Sequence, residues 1–257
     1  MGKALIFLFG GVVKIVAHIV KFLSYGFHFI FPKKRFRLPK HAAPLFRSRQ
    51  QTPIPRTIWQ TNYTDRLTLP LYVNYLFNRL LSPTFEYRFM ITEDRAEFIK
   101  TEYSEEVFKC YSKIKIGAAQ ADFWRVLVLQ KHGGVYMDID AHMVWFLNAI
   151  IKPGYEELFI TIRGGDVSNY FIASKPGTAH LQTMMDEIME NIKRRDLADV
   201  WDTTGPGVFI RALAGKNVNK TRNVHACLQG NFTNEYFQYI DKKEGKWIHV
   251  SNPGGST

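Results

Sequence analysis

Residues 118–140 read AAQADFWRVLVLQKHGGVYMDID, and this stretch decides the fold. It divides into a helix, a double-glycine stop and a strand. Helical spacing sets Asp122 and Arg125 on one face, beside the small Ala118 and Ala121. Gly133 and Gly134 end the helix, because glycine takes the left-handed C-cap conformation without a Cβ penalty. Val135, Met137 and Ile139 then alternate with Tyr136, Asp138 and Asp140. A period of two predicts both carboxylates on one side of a strand. Two acids there, near a strand's end, suit a divalent metal carrying a diphosphate and suit no hydrophobic core.

Outward from this stretch, strand and helix patterns alternate. IPRTIWQTN (54–62) predicts a first strand and its turn, residues 70–81 a helix, and EYRFMIT (86–92) a second strand. Thr92 stands where a helix N-cap is expected. KIKI (113–116) fits a short strand or a loop. Beyond the acids, ELFITIR (157–163) and NYFIASKPG (169–177) read as strands. Residues 178–195 read as a helix with Leu181, Met184, Met185, Ile188 and Ile192 on its apolar side. TTGPG (203–207) is a turn before the helix VFIRALAG. This alternation predicts an α/β layered fold with a mostly parallel sheet. In such sheets ligands gather beyond the carboxyl ends of the strands, where Asp138 and Asp140 lie.

The chain has 257 residues, 46% of them hydrophobic, enough for one globular domain with a substantial core plus an appendage. Cys110 and Cys227 lack metal-ligand spacing; two buried thiols in a reducing compartment, or one disulfide, are the expectations. The net charge of +11 is not spread over the chain. Residues 1–56 hold eleven Lys and Arg and no acid, which leaves 23 basic and 23 acidic residues in 57–257. A balanced body offers no basic groove for nucleic acid. Motifs for other chemistries (GxxxxGK, GxSxG, HExxH, CxxC) are absent from the sequence.

Residues 4–31 are apolar and long enough to span a bilayer, but Lys14, His18, Lys21, Tyr25 and His28 draw a polar stripe along the helix. Two lysines at hydrocarbon depth would cost about 2.5–3.5 kcal/mol each. Residues 1–31 are therefore expected to form an amphipathic helix in the membrane interface, with a helix packed on the domain as the alternative. Residues 32–53 read as a basic, proline-containing linker, and the folded domain as 54–257. Each basic residue of segment 1–49 near an anionic lipid surface contributes about 1 kcal/mol. The positive-inside tendency sets the domain on the cytoplasmic side.

An isolated Asp-x-Asp carries little information in a chain of this length. Its surroundings carry more. ADFWRVLVLQKHGGVYMDID resembles the signature of the family 32 glycosyltransferases, which are related to fungal initiating mannosyltransferases, and the matching segment of the large clostridial glucosylating toxins. IPRTIWQTN resembles the family's opening strand, NYFIASKPG its mid-domain element and TTGPG its Thr-Gly-Pro turn, in the family's order.

The resemblance implies a GT-A-type, Rossmann-like fold that binds a nucleotide-sugar (a UDP- or GDP-hexose) with Mn²⁺ or Mg²⁺. It assigns Asp138 to the ribose and donor sugar and Asp140 to the metal. Asp122 and Arg125 match the Asp-x-x-Arg that contacts the donor; the plain alternative is an i,i+3 ion pair. Trp59 matches an aromatic stacked on the base, with a core tryptophan as the alternative. Asn169 is expected near the sugar or acceptor. His249, beside Trp247, is the candidate further metal ligand, although the usual His-His or Ser-Trp ending is absent. His142 has no family support as a ligand.

The function implied is a metal-dependent, retaining transfer of a hexose to a saccharide or lipid-linked acceptor in lipopolysaccharide or capsule synthesis, at the cytoplasmic face of an inner membrane. Three sequons, at Asn62, Asn219 and Asn231, keep a Golgi enzyme with a luminal domain in view. A glycosylating effector acting on a protein is a further alternative.

Overall fold

The computed structural model describes residues 3–194 and 199–242. In chain order these form α1 (Lys3–Ile30), β1 (Phe36–Arg37), β2 (His41–Ala42), β3 (Thr57–Thr61), β4 (Arg66–Leu67), α2 (Leu69–Leu81) and β5 (Glu86–Met90). There follow α3 (Thr92–Glu102), α4 (Glu105–Ser112), α5 (Gly117–His132), β6 (Gly134–Met137), β7 (Ala141–Met143), α6 (Leu147–Ile150), β8 (Glu157–Thr161) and β9 (Val167–Ser174). The last are α7 (Ala179–Arg194), α8 (Val200–Thr203), α9 (Pro206–Ala212), β10 (Lys220–Arg222), β11 (Cys227–Gln229) and α10 (Glu235–Tyr239). The segment 113–116 is a turn and loop.

The central sheet runs β10-β8-β9-β6-β3-β5-β2. The α/β class is as expected, and the sheet is mixed. β3 pairs parallel with β5 and β6, and β8 with β10. β9 runs antiparallel between β6 and β8 because residues 162–166, too few for a parallel crossover, join β8 to β9 as a hairpin. β2 closes the other edge antiparallel on β5. β1 and β2 both fall within the segment expected as a linker, so part of that segment is built into the domain.

Alternate residues of each central strand fill opposite cores, as a period of two requires. Trp59, Tyr136, Phe159 and Ile172 face α3, α4, α5, α7 and α9. Ile58, Val135, Met137, Leu158, Ile160, Phe171 and Ala173 face α2, α6 and β7. α7 buries Leu181, Met184, Ile188, Met189 and Ile192, close to the expected stripe. Cys110 and Cys227 are both buried free thiols.

The Gly133–Gly134 stop is drawn tightly against its neighbours. Gly133 has φ 63° and ψ −166°, so it leaves the left-handed helical well for an extended region that only glycine occupies readily. A Cβ at Gly134, where φ is 105°, would meet the Thr57 carbonyl oxygen at 2.6 Å. This contact pins the start of β6 to β3, and with it the position of the acids four and six residues on.

α1 lies along the outside of α2. Its buried stripe is Gly10, Val13, Ala17, Ser24 and His28. Val13 and Ala17 pack with Phe232, Val73 and Phe77, and Phe9 meets Trp145 edge-on at 4.9 Å.

Candidate functional site

β6 ends at Met137, and Asp138–Asp140 form a turn rather than a strand extension, with the Ala141 N–H donating to the Asp138 carbonyl at 3.0 Å. The two carboxylates therefore do not face one way through strand alternation. They converge because the Gln229 Nε2 amide donates to both, at 3.1 Å to Asp138 and 2.9 Å to Asp140. Ile139 between them is buried. Backbone bonds fix the turn from several sides. Asp138 N–H donates to the Tyr170 carbonyl at 2.9 Å, and Gly230 N–H to the Asp140 carbonyl at 3.1 Å. Gln60 Nε2 donates to the Asp138 carbonyl at 3.0 Å. From α2, Asn74 Nδ2 donates to the carbonyls of Ile139 (2.9 Å) and Ala141 (3.0 Å), and Asn78 Nδ2 to that of Ala141 (2.9 Å).

Behind the acids stands a buried polar cluster. Arg125 binds Asp122 at 2.8 Å and Asp138 at 3.2 Å, donates to the Asn169 carbonyl at 2.6 Å, and lies 4.4 Å from the centre of the Tyr136 ring. Asn169 Nδ2 donates to Asp122 Oδ1 at 3.0 Å, and Thr204 to Asp122 Oδ2 at 3.3 Å. The Tyr136 hydroxyl donates to Asp138 Oδ1 at 2.5 Å. Asp122, Arg125, Asp138 and Asn169 thus form one connected group, and Gln229 extends it to Asp140.

This arrangement fits a cation. Burial, and then the charge of Asp138, raise the Asp140 carboxyl above its ordinary value. Positive charge beside the pair relieves both effects. No group of three or more His, Cys, Asp or Glu side chains converges among the described residues. A hard divalent ion held by one or two carboxylates, with water and substrate phosphate as its other ligands, is the kind such a donor set accepts.

One assignment from the sequence fares otherwise. Trp59 sits in mid-strand, buried, with its indole N–H donating to the Gly133 carbonyl at 2.9 Å and its ring stacked near His132. That is the opposite end of β6 from the acids, so Trp59 is placed as a core residue that holds the glycine turn, not as a base-stacking group. His249 lies outside the described residues.

His142 belongs to β7 and points into a buried pocket with Phe77 and Phe232. Its Nε2 lies 3.0 Å from Asn231 Nδ2 and its Nδ1 3.1 Å from the Met143 carbonyl. One nitrogen must accept and the other donate, which only the neutral ring does. Burial lowers its pKa from 6.5 to about 4. Between these values the unfolded chain binds the proton and the folded one does not, so stability rises with pH across that window. His142→Gln is expected to remove about 3 kcal/mol of acid-induced loss, read as a flatter urea midpoint between acid and neutral pH. An unchanged slope would show that the ring is protonated in place.

Several residues of the site carried no local signal. Gln229 reaches the acids from β11, which pairs with β7, about ninety positions away in sequence. Asn74 and Asn78 did carry one: two asparagines one helical turn apart on the buried face of an otherwise apolar helix.

Residues 70–156 match the family model described as "Glycosyltransferase sugar-binding region containing DXD motif". A curated glycosyltransferase of Acanthamoeba polyphaga mimivirus, itself named as uncharacterized, is 25% identical over 147 residues, 56% of this chain and 58% of that one. The initiation-specific alpha-1,6-mannosyltransferase of Schizosaccharomyces pombe is 24% identical over 218 residues, 72% of this chain and 52% of that one. The chain thus spans little more than half the length of these relatives. Among solved structures, the PaToxG glycosyltransferase is similar at a TM-score of 0.47 and 18% identity, over 63% of this chain and 69% of that one. The matched span holds nearly all of α2, the Asp122–Arg125 helix and both acids, and over it the chain is similar to the DXD-containing sugar-binding region of glycosyltransferases.

Proposed function

We propose that the chain is a metal-dependent, retaining glycosyltransferase that moves a hexose from a nucleotide-sugar to a saccharide or lipid-linked acceptor. The observation that carries this reading is the convergence of Asp138 and Asp140 on one amide just beyond the carboxyl end of β6, backed by the buried Asp122–Arg125–Asn169 cluster. Asp140, with Asp138 beside it, would hold Mn²⁺ or Mg²⁺, which supplies Lewis-acid stabilisation of the departing nucleoside diphosphate. Arg125 fixes Asp138 in place, where that carboxylate would meet the sugar and ribose hydroxyls.

The side chains also bear on stereochemistry. Both oxygens of Asp122 and of Asp138 accept hydrogen bonds, so neither carboxylate stands free to attack an anomeric carbon. This supports front-face transfer. The acceptor oxygen bonds to the anomeric carbon on the side from which the diphosphate departs, and its proton passes to the departing phosphate oxygen. Positioning and electrostatics then supply the rate.

We place the domain on the cytoplasmic face of a membrane, in the synthesis of a surface polysaccharide. The acid-free basic segment supports this. Two of the three sequons also lack a free asparagine: Asn62 is buried and Asn231 is bonded to His142. The fungal relative, named a mannosyltransferase, makes a mannose donor the first to try. Hydrolysis of GDP-Man, UDP-Glc, UDP-Gal and UDP-HexNAc with Mn²⁺ is expected to release nucleoside diphosphate from one donor, and EDTA to stop it. Release from none of them by protein with a native melting transition would overturn the reading.

A further inference from the structure

The first helix is long and apolar enough to cross a bilayer, yet the structure uses it differently. One stripe is spent on the domain. Gly10 lets the helix approach Val144, with its missing Cβ 3.6 Å from that side chain, and Val13, Ala17 and Ser24 are buried in line with it. The polar flank is engaged as well. Lys21 Nζ donates to the Gly230 carbonyl at 3.1 Å, Asn234 Nδ2 to the Tyr25 hydroxyl at 2.6 Å, and the Leu69 N–H to His28 Nε2 at 3.0 Å. These contacts run from the first turns of the helix to its last. A spanning helix would break them and carry Lys21 into hydrocarbon.

The opposite stripe is apolar and open among the described residues. Leu8, Val12, Ile15, Ile19, Phe22, Leu23, Phe29 and Ile30 are all exposed, Phe22 at 76% and Phe29 at 88%. The open surface continues past the helix. Leu76 and Leu80 on α2 are exposed and sit beside Val73 and Phe77, the residues that pack on α1. Exposed Phe146 adjoins Trp145, which packs on Phe9. Exposed Phe46 is bonded through its N–H to the Pro83 carbonyl, just past α2. An apolar patch of this extent marks an interaction surface.

Its charge identifies the partner. Lys33 and Lys34 follow the helix, Arg47 and Arg49 follow Phe46, all four are exposed, and no acid occurs before Asp65. We propose that α1 and the adjoining Leu76, Leu80, Phe46 and Phe146 form one monotopic docking face that lies in a single leaflet of an anionic bilayer. The helix rests flat and the domain itself dips into the lipid. This rests on the membrane association proposed above and not on the transfer chemistry. It also brings the membrane close to the proposed donor site, because the flank of α1 holds the residue 230–234 loop that follows Gln229.

Two measurements on the full chain test it. Flotation with phosphatidylcholine vesicles, with and without phosphatidylglycerol, is expected to show binding that the anionic lipid strengthens. The triple variant Leu76→Gln, Leu80→Gln, Phe146→Gln is expected to bind about tenfold more weakly while keeping donor hydrolysis and α1 intact. Impermeant maleimide on protein bound outside sealed vesicles is expected to label both Ala4→Cys and Lys33→Cys. Labelling of Lys33→Cys alone would show a spanning anchor, and full binding by the triple variant would show that the domain stays out of the lipid; either result overturns the docking face. Failure of the wild-type chain to bind vesicles, with dimers in sedimentation, would assign the patch to a second copy and overturn the membrane partner, leaving the sugar-transfer reading untouched.

Discussion

Asp140→Asn is expected to lower donor hydrolysis and transfer about 10³-fold, the scale of removing one preorganised electrostatic group, while the fold stays at least as stable. The two halves of this expectation have different origins. Activity falls because the neutral amide no longer draws a divalent cation to the turn. Stability holds because the turn is fixed through its backbone, by Asn74, Tyr170 and Gly230, and not through the Asp140 side chain. The asparagine oxygen still accepts from Gln229. The native carboxyl, moreover, titrates above its ordinary value through burial and the neighbouring Asp138. A folded pKa above the unfolded one contributes stability only below the unfolded pKa, and that contribution is lost as pH rises through the folded one. At neutral pH the charge is therefore a cost, and the amide removes it. A melting temperature equal to or above that of the wild type, with activity gone, is the expected pair of readings. Full activity would remove Asp140 from any metal-holding role. Asp138→Asn should differ in kind. Asp138 also carries Arg125 and Tyr136, so its neutralisation weakens the cluster behind it and lowers the melting temperature as well.

Much of this architecture is written in local sequence. β3, α2, β5, α3, α5, β6, β8, β9, α7 and α9 follow from period-two and helical spacing, while the short β4, α4, β7, α6 and α8 do not; alternating residues of the strands fill the two cores as those periods require. The glycine pair was legible for a reason that needs no tertiary knowledge, though its ψ shows a tighter turn than an ordinary cap. What local pattern does not show is contact across the chain. The acids face one another through Gln229, contributed by a three-residue strand too short to leave a periodic trace. β9 runs antiparallel because of a hairpin whose length matters more than its flanking strands. Trp59 misled because an aromatic in a parallel strand can point beyond the sheet or into it. The Gly133 carbonyl, which takes its indole N–H, decides the matter, and that partner lies 74 positions away. For α1 the polar stripe was visible, but which surface it meets depends on a domain folded elsewhere in the chain.

Arg125→Met is expected to destabilise the domain by about 3–5 kcal/mol, because it leaves Asp122 and Asp138 buried or half-buried without their shared cation. In a chain of this size that is a fall in melting temperature of roughly 10 °C. The side chain's length and apolar stem are kept, so packing on Tyr136 is largely preserved and the loss reports charge. Its pH dependence separates the causes. Burial already pushes the Asp122 carboxyl up to about 6 against the pull of Arg125. Without the guanidinium that pKa rises further. A raised folded pKa contributes stability below the unfolded value of 3.8 and loses it as pH climbs, so the deficit of the variant is small in acid and widens towards neutrality. Cavity formation would give a deficit independent of pH. Adding Asp122→Asn should recover part of the lost stability at pH 7, since the amide oxygen can still accept from Asn169 and its NH2 group can donate to the Thr204 hydroxyl oxygen, while the uncompensated charge is gone. Recovery of stability without recovery of donor hydrolysis would separate the two duties of this cluster. Its ion pairing holds the scaffold together. On the proposed function its placement of Asp138 at the end of β6 serves the sugar, and a folded but inactive double variant is the result that reading requires.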